Sequence, residues 1–319
     1  MSDEHADDLW RDFPKTAIAF EKQFATEEDC RRYWIKARWA DKPACAKCQC
    51  TRVWIVHQGR HFECADCGHQ TSLTAGTPLE KTRKPLKMWF RAVFEVSSRR
   101  NGISAKELQR IMGFGSYETA WTWLHKIRLA LVRPNREKLA DDVQIDEAFV
   151  GAKRAGKSLV LAAKEVCGRV RLTHADSNDA KTIKRFAAAE IADDADLTSD
   201  GHKGYSAKSL GGRKHEAIVQ TKAERAEADS LQAMHWTISL LKRWLLGTHA
   251  SAVSPKHLQA YLDEYAFRHN RRGTKGVGRI AARAIEGLVA TAPITMRMIV
   301  DNTVQCRRLL PVSPLAGRI

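Results

Sequence analysis

The sequence predicts an α+β chain of several domains. A small metal-stapled ribbon and a helix-turn-helix come first, an α/β sheet core follows, and further helices close the chain. Three observations carry this reading. Two C-x2-C pairs stand at Cys45/Cys48 and Cys64/Cys67. Helical apolar spacing, broken by glycine turns, runs from about 85 to 131. From 142 onward, short apolar runs precede one helical stretch and one more strand. A chain of 319 residues has room for this arrangement.

Fifty-three Lys and Arg stand against 37 Asp and Glu, a net charge of +16. That balance points to a polyanionic partner, most often nucleic acid. A 44% hydrophobic content excludes wholesale disorder. No run of 18 apolar residues is present, so no membrane span is expected. The acidic start, Met1 to Asp8, is unlike a signal peptide and predicts a cytoplasmic protein.

Thr26, followed by Glu27, Glu28 and Asp29, marks a capped helix start, and that helix ends near Trp39. Five of the eight cysteines fall between 45 and 67. Such clustering argues for metal rather than disulfides. Zinc takes four tetrahedral ligands, and each C-x2-C pair supplies two from one tight turn. Between the pairs, Val53–Val56 and Arg60–Glu63 flank Gln58-Gly59 and read as a β-hairpin. Cys50, His57, His61 and His69 do not fit the paired spacing and are read as surface or hairpin packing. Four thiolates leave no open coordination position, so the zinc is structural.

Five basic residues and no acid lie between 81 and 91, among them Lys84 and Lys87. A helix is expected from Pro85, with Leu86, Trp89, Phe90 and Val93 on one face. Ser104 caps a short helix, Gly113 to Ser116 make a turn, and Tyr117 to Leu131 form a longer helix. A short helix, a glycine turn and a longer helix make the helix-turn-helix pattern, which beside a ribbon in a basic chain points to double-stranded DNA. The polar segment 133–138 marks a domain boundary. The expected division is 1–40 helical, 41–80 ribbon, 81–132 helix-turn-helix, 140–272 core and 273–319 helical tail.

In the core, three apolar strands near 143–151, 158–163 and 170–174 precede a helix over 181–189 and a strand over 195–199. Three antiparallel strands, a helix and a parallel strand are the order of an RNase H-like fold. Such folds bring a carboxylate on the first strand and one after the fourth onto divalent metal ions, which clamp a phosphoryl displacement. Asp146 and Asp200 hold those positions. Asp146 and Glu147 point to opposite faces, and alternation alone does not say which faces the site.

These blocks resemble the bacterial insertion-sequence transposases of the ISXO type. The shared blocks are Cys64-x-x-Cys67 with Gln70 to Pro78, Gly102 to Ala105, Thr119-Ala120-Trp121, Ile145 to Gly151, Ser199 to Tyr205, and Tyr265 to Arg272. The resemblance implies a DDE transposase that binds element ends, hydrolyses phosphodiesters and joins strands. It implies Mg2+ or Mn2+ on Asp146, Asp200 and a third ligand, with Lys242 against phosphate. It also implies action as a homodimer or larger assembly. The third position, usually Glu, is His235, seven residues before Lys242. Imidazole ligates a metal without adding charge and suits softer ions than Mg2+. A nearby acid, Glu227 or Asp229, could substitute as the third ligand, though neither has the family's offset from Lys242. Arg243, Arg268, Arg271, Arg272 and Lys275, with Lys84 and Lys87, are expected on the DNA backbone. The alternatives are a non-catalytic DNA-binding derivative and a structure-specific nuclease.

Overall fold

The computed structural model describes residues 13–40, 43–133, 136–151, 156–251 and 253–304. The polar start at 1–8, part of the boundary segment (134–135), and Cys306 lie outside the described residues. The chain divides into two compact units. One takes residues up to 134 together with those from 274 onward, and the other takes residues 135–273.

The first unit opens with α1 (Ala17–Gln23) and α2 (Glu27–Trp39). Thr26 and Asp29 form a reciprocal capping box at the start of α2. The ribbon is a three-stranded antiparallel sheet of β1 (Val53–Val56), β2 (His61–Cys64) and β3 (Gln70–Ser72), in that order. α2 holds it through side-chain donors. The Trp34 indole donates to the Leu73 carbonyl at 2.9 Å, and Arg38 donates to the carbonyls of Leu73 and Ala75.

α3 (Leu86–Ser98) starts after Pro85, and the Glu27 carboxylate accepts its first free N–H groups, those of Leu86 and Lys87, at 2.8 and 2.9 Å. α4 (Ala105–Met112) and α5 (Tyr117–Ala130) form the expected helix-turn-helix pair, with Gly113 left-handed at the turn. α5 is the centre of this bundle. Ala120, Thr122 to His125 and Ile127 to Ala130 are all buried, and the Trp123 ring stacks on Trp89. The exposed residues of α5 are Tyr117 and Glu118 in its first turn. The second helix therefore cannot lie in a DNA groove along its length, as a fully exposed recognition helix would.

The C-terminal segment belongs to this unit. α10 (Val277–Ala290) packs on α2, α3 and α5, and α11 (Met296–Val300) on α5. At Gly287 a Cβ would lie 1.9 Å from the Ala130 carbonyl oxygen, so the α10–α5 approach admits no side chain there.

The second unit has a five-stranded sheet. β4 (Asp142–Val150), β5 (Ser158–Glu165) and β6 (Val170–Ala175) form the antiparallel meander. α6 (Ala180–Glu190) leads to β7 (Asp196–Ser199), which joins β4 in parallel, and β8 (His215–Ala217) joins β7 in parallel. The order β6-β5-β4-β7 is the RNase H-like arrangement expected from the element order, and β8 extends it beyond β7. β8 and the short exposed helix α7 (Lys222–Glu227) have no counterpart in the sequence reading.

Side-chain alternation divides the core between the two sheet faces. Val143, Ile145, Leu161 and Ala163 pack with Ile183, Phe186 and Ala187 of α6 on one face. Ala148, Val150, Val160 and Ala162 pack on the other, against α8 (Gln232–His249) and α9 (Leu258–His269). Two amides of α9 and its C-cap close the free edge of β6. Gln259 accepts from the His174 N–H and donates to the Leu172 carbonyl, and Asn270 makes the same pair of bonds with Val170. An open strand edge is thereby removed.

Candidate active site and metal centre

The four ribbon cysteines gather as the spacing predicts. Their sulfurs all lie within 4.8 Å of one another, with Cys45–Cys67 at 3.6 Å and Cys48–Cys64 at 3.5 Å. A disulfide needs about 2.05 Å. Sulfurs bound to one zinc at about 2.3 Å in a tetrahedron stand roughly 3.8 Å apart, so the set fits zinc. Backbone N–H groups of each knuckle aim at its first sulfur. Those of Cys67 and Asp66 pull the Cys64 thiol down to about 6, against the opposing effect of burial. Cys50 bonds with the Arg52 backbone instead and stays outside the cluster.

In the core, packing settles which carboxylate of β4 faces which way. Asp146 shares the face of Ala148 and Val150 and is turned toward α8. Glu147 takes the opposite face, where it accepts from the buried Tyr205 hydroxyl at 2.6 Å. Gln144 pairs with Thr198 across the parallel strands. β7 ends at Ser199, and Asp200 follows directly, near enough that its charge acts on the Asp146 carboxyl. Gly201, at φ +82°, turns the chain immediately after Asp200.

α8 brings His235 over Asp146, with Nε2 3.7 Å from Oδ2. Two donors bound to one ion at about 2.1 Å each can be up to roughly 4.2 Å apart, so one cation can bridge this pair. Asp146 is 8% exposed. Burial pushes its carboxyl up to about 6; the Glu147 N–H at 2.8 Å works against this, and the nearby Asp200 charge adds to it. A buried carboxylate that resists ionisation beside a second carboxylate is suited to cation binding. Among the described residues, only the four cysteines draw three or more ligand atoms within 4.8 Å, so Asp200 does not join the other two that closely.

An open cleft of about 420 Å³ lies over this point, lined by Asp146, Glu147, Lys157, His235, Ser239 and Lys242 among others. Lys242 sits two helical turns from His235 on the same face of α8. Arg243 is exposed on the adjoining face and does not line the cleft.

Gln144 escaped the sequence reading, and Asp229, weighed there as a substitute ligand, takes a different place. The Gln144 amide accepts from the Met234 N–H and donates to the Ser230 carbonyl, both at 3.0 Å, which anchors the start of α8 to β4. Asp229 Oδ2 lies 2.6 Å from His235 Nδ1. Gln144 lies on the same strand face as Asp146, and that period-two relation was the available signal. Asp229 carried none beyond its closeness in sequence to His235.

The expected backbone contacts differ in setting. Lys84, Lys275 and Arg272 are exposed. Lys87 is exposed and donates to the Ala25 carbonyl. Arg271 lies over the Phe267 ring at 4.0 Å. Arg268 departs from the expectation, because it turns inward to Glu264 at 2.8 Å, whose side chain is 1% exposed. Arg268→Ala should leave that carboxylate without this partner and cost about 3 kcal/mol in thermal unfolding of the core. Arg271→Ala and Arg272→Ala should cost little stability by the same measurement.

Residues 138–270 match the family model described as the ISXO2-like transposase domain, and residues 25–70 match the transposase zinc-ribbon domain. A protein of Halobacterium salinarum, described as an uncharacterized protein in transposable element ISH50, is 28% identical over 139 residues. The match takes in 43% of this chain and 46% of the relative, so the chain spans about half the relative's length. No described helix is long and apolar enough to cross a membrane. The chain thus carries, in the expected order, segments that match a transposase zinc ribbon and an ISXO2-like transposase domain.

Proposed function

We propose that the protein is a DNA transposase that binds the two ends of its element, cleaves a phosphodiester at each, and joins the freed ends to target DNA. The observation that supports this is His235 Nε2 3.7 Å from Asp146 Oδ2 on β4, with Asp200 just past the end of the neighbouring parallel strand β7, within a segment that matches a transposase domain.

Asp146, Asp200 and His235 hold the catalytic cations, Mg2+ or Mn2+. When bound, these ions supply Lewis acidity to the attacking and leaving oxygens. The donor set fits, with hard carboxylate oxygens for Mg2+ and an imidazole that favours Mn2+. Lys242 holds a phosphate against the cleft wall. Water opens the phosphodiester, and the released 3′-hydroxyl then attacks the target strand, so no side-chain nucleophile is needed. Both ends must be processed together, which calls for a dimer or larger assembly on the DNA, in the cytoplasm where the element resides. The ribbon (41–80) and helix-turn-helix (81–132) take the element end, and the core (140–272) takes the scissile strand. Because α5 is buried, end recognition falls to the ribbon, the basic 81–91 segment and the first turns of α4 and α5.

Cleavage of a labelled end duplex in Mn2+ and in Mg2+ tests this reading. The wild type should cut faster in Mn2+, and His235→Glu should shift the preference toward Mg2+. An unchanged metal preference in that variant would remove His235 from the ligand set. Arg271→Ala with Arg272→Ala should weaken binding to all duplexes alike and flatten its salt dependence by roughly one unit per lost phosphate contact. An unaltered salt slope would place the DNA on another surface.

A further inference from the structure

We propose that Asp229 is a positioning residue for His235, and that it returns to the site, through the imidazole ring, the negative charge that His235 itself does not supply. This rests on the reading of Asp146 and His235 as cation ligands.

The geometry is explicit. Asp229 Oδ2 lies 2.6 Å from His235 Nδ1, and Asp229 Oδ1 accepts the Leu231 N–H at 3.0 Å. One oxygen is thus tied to the backbone at the start of α8 and the other to the ring. The same turn is held from β4 by the Gln144 amide, bonded to Ser230 and Met234. Gln144 and Asp146 share one face of β4. The strand that carries Asp146 therefore also fixes the turn that carries Asp229 and His235.

An ionised carboxylate has no proton to donate, so Nδ1 carries the hydrogen in this bond. Nε2 is then the ring's lone-pair atom, and it is the atom 3.7 Å from Asp146 Oδ2. A lone pair and a carboxylate oxygen facing each other at that separation leave room for one cation between them. A carboxylate behind a ligating histidine fixes the tautomer, orients the ring and raises its basicity, and losing such a partner typically lowers metal affinity about 10- to 100-fold. Asp229 is therefore no substitute third ligand. It sits behind the ring and makes a neutral imidazole act more like the carboxylate it replaces.

The test uses the full chain with its zinc, and two substitutions. In Asp229→Asn the amide oxygen still accepts the Nδ1 hydrogen but carries no charge. In Asp229→Ala both acceptor and charge are gone. The first readout is 15N chemical shifts of the histidine rings at about pH 8.5, where a free imidazole is neutral, with His235 assigned by its loss in His235→Gln. Wild type and Asp229→Asn should show the Nδ1–H tautomer, and Asp229→Ala should show a mixture. The second readout is Mn2+ affinity from the electron paramagnetic resonance of free Mn2+. Asp229→Asn should weaken it about 10-fold and Asp229→Ala about 100-fold.

An unchanged tautomer together with Mn2+ affinity within about twofold in Asp229→Ala would overturn the proposal. So would a loss in Asp229→Asn as complete as in Asp146→Asn, because Asp229 would then be a ligand itself. If Asp146→Asn binds Mn2+ as well as the wild type, the cation site itself is misplaced, and the ring shifts still decide what Asp229 does to His235.

Discussion

Asp146→Asn is expected to abolish cleavage and joining of end DNA, a loss of about 1,000-fold or more, while leaving affinity for that DNA within about twofold. The two effects separate because the cation site rests on carboxylates and phosphate affinity rests on Lys and Arg. The same variant should be more stable. Burial first, with the Asp200 charge adding to it, raises the Asp146 carboxyl from 3.8 to about 6 in the folded chain. The folded state then holds this proton more tightly than the unfolded chain does. Stability present below pH 3.8 is lost as pH rises through about 6. At neutral pH the ionised Asp146 costs up to roughly 3 kcal/mol, which the neutral amide avoids. Calorimetry of the core without added divalent cation should show Asp146→Asn melting higher than wild type at pH 7.5, with the gap closing toward pH 4. A variant that is inactive and also less stable at neutral pH would indicate a packing role for Asp146 instead.

Cys64→Ser should release the zinc. A structural site of this kind contributes on the order of 10 kcal/mol to its domain, and a three-sulfur remnant, with water as its fourth ligand, holds the ion far more weakly. Cys64 also ends β2, which pairs with both other ribbon strands, so the ribbon sheet should unfold with the metal. The core lies in the other compact unit and should keep its own melting transition. A colorimetric zinc assay should fall from about one ion per chain to none. Full zinc retention in the variant would require another ligand set.

The legible parts of this fold were those written in spacing. The cysteine pairs stated their geometry directly, because each knuckle is a local turn. The strand and helix order of the core followed from short apolar runs, and its sheet order followed from that. Which of Asp146 and Glu147 faces α8 was not legible from strand alternation, because the answer depends on which helices cover which face of β4. Gln144 read as an ordinary strand residue, since its partners lie 86 and 90 positions away. α5 was legible as a helix but not as the buried centre of a bundle, because α10, which covers part of it, comes from the far end of the chain. Arg268 looked like part of a charge run, and only the inward turn of α9 shows it paired with Glu264.

Asp146, Asp200 and His235, read as a working phosphoryl-transfer site on DNA, should support strand joining. Joining is the most direct test, since cleavage alone is shared with nucleases. Protein, a duplex carrying the repeat that flanks its own gene, and a supercoiled target plasmid should be combined with Mn2+ and separately with Mg2+. The 3′ ends of the duplex are expected to be joined covalently to the plasmid, more in Mn2+, and not at all with Asp200→Asn. Specific binding of the duplex with neither cleavage nor joining in either metal would contradict that reading and mark the protein as a non-catalytic relative of its family.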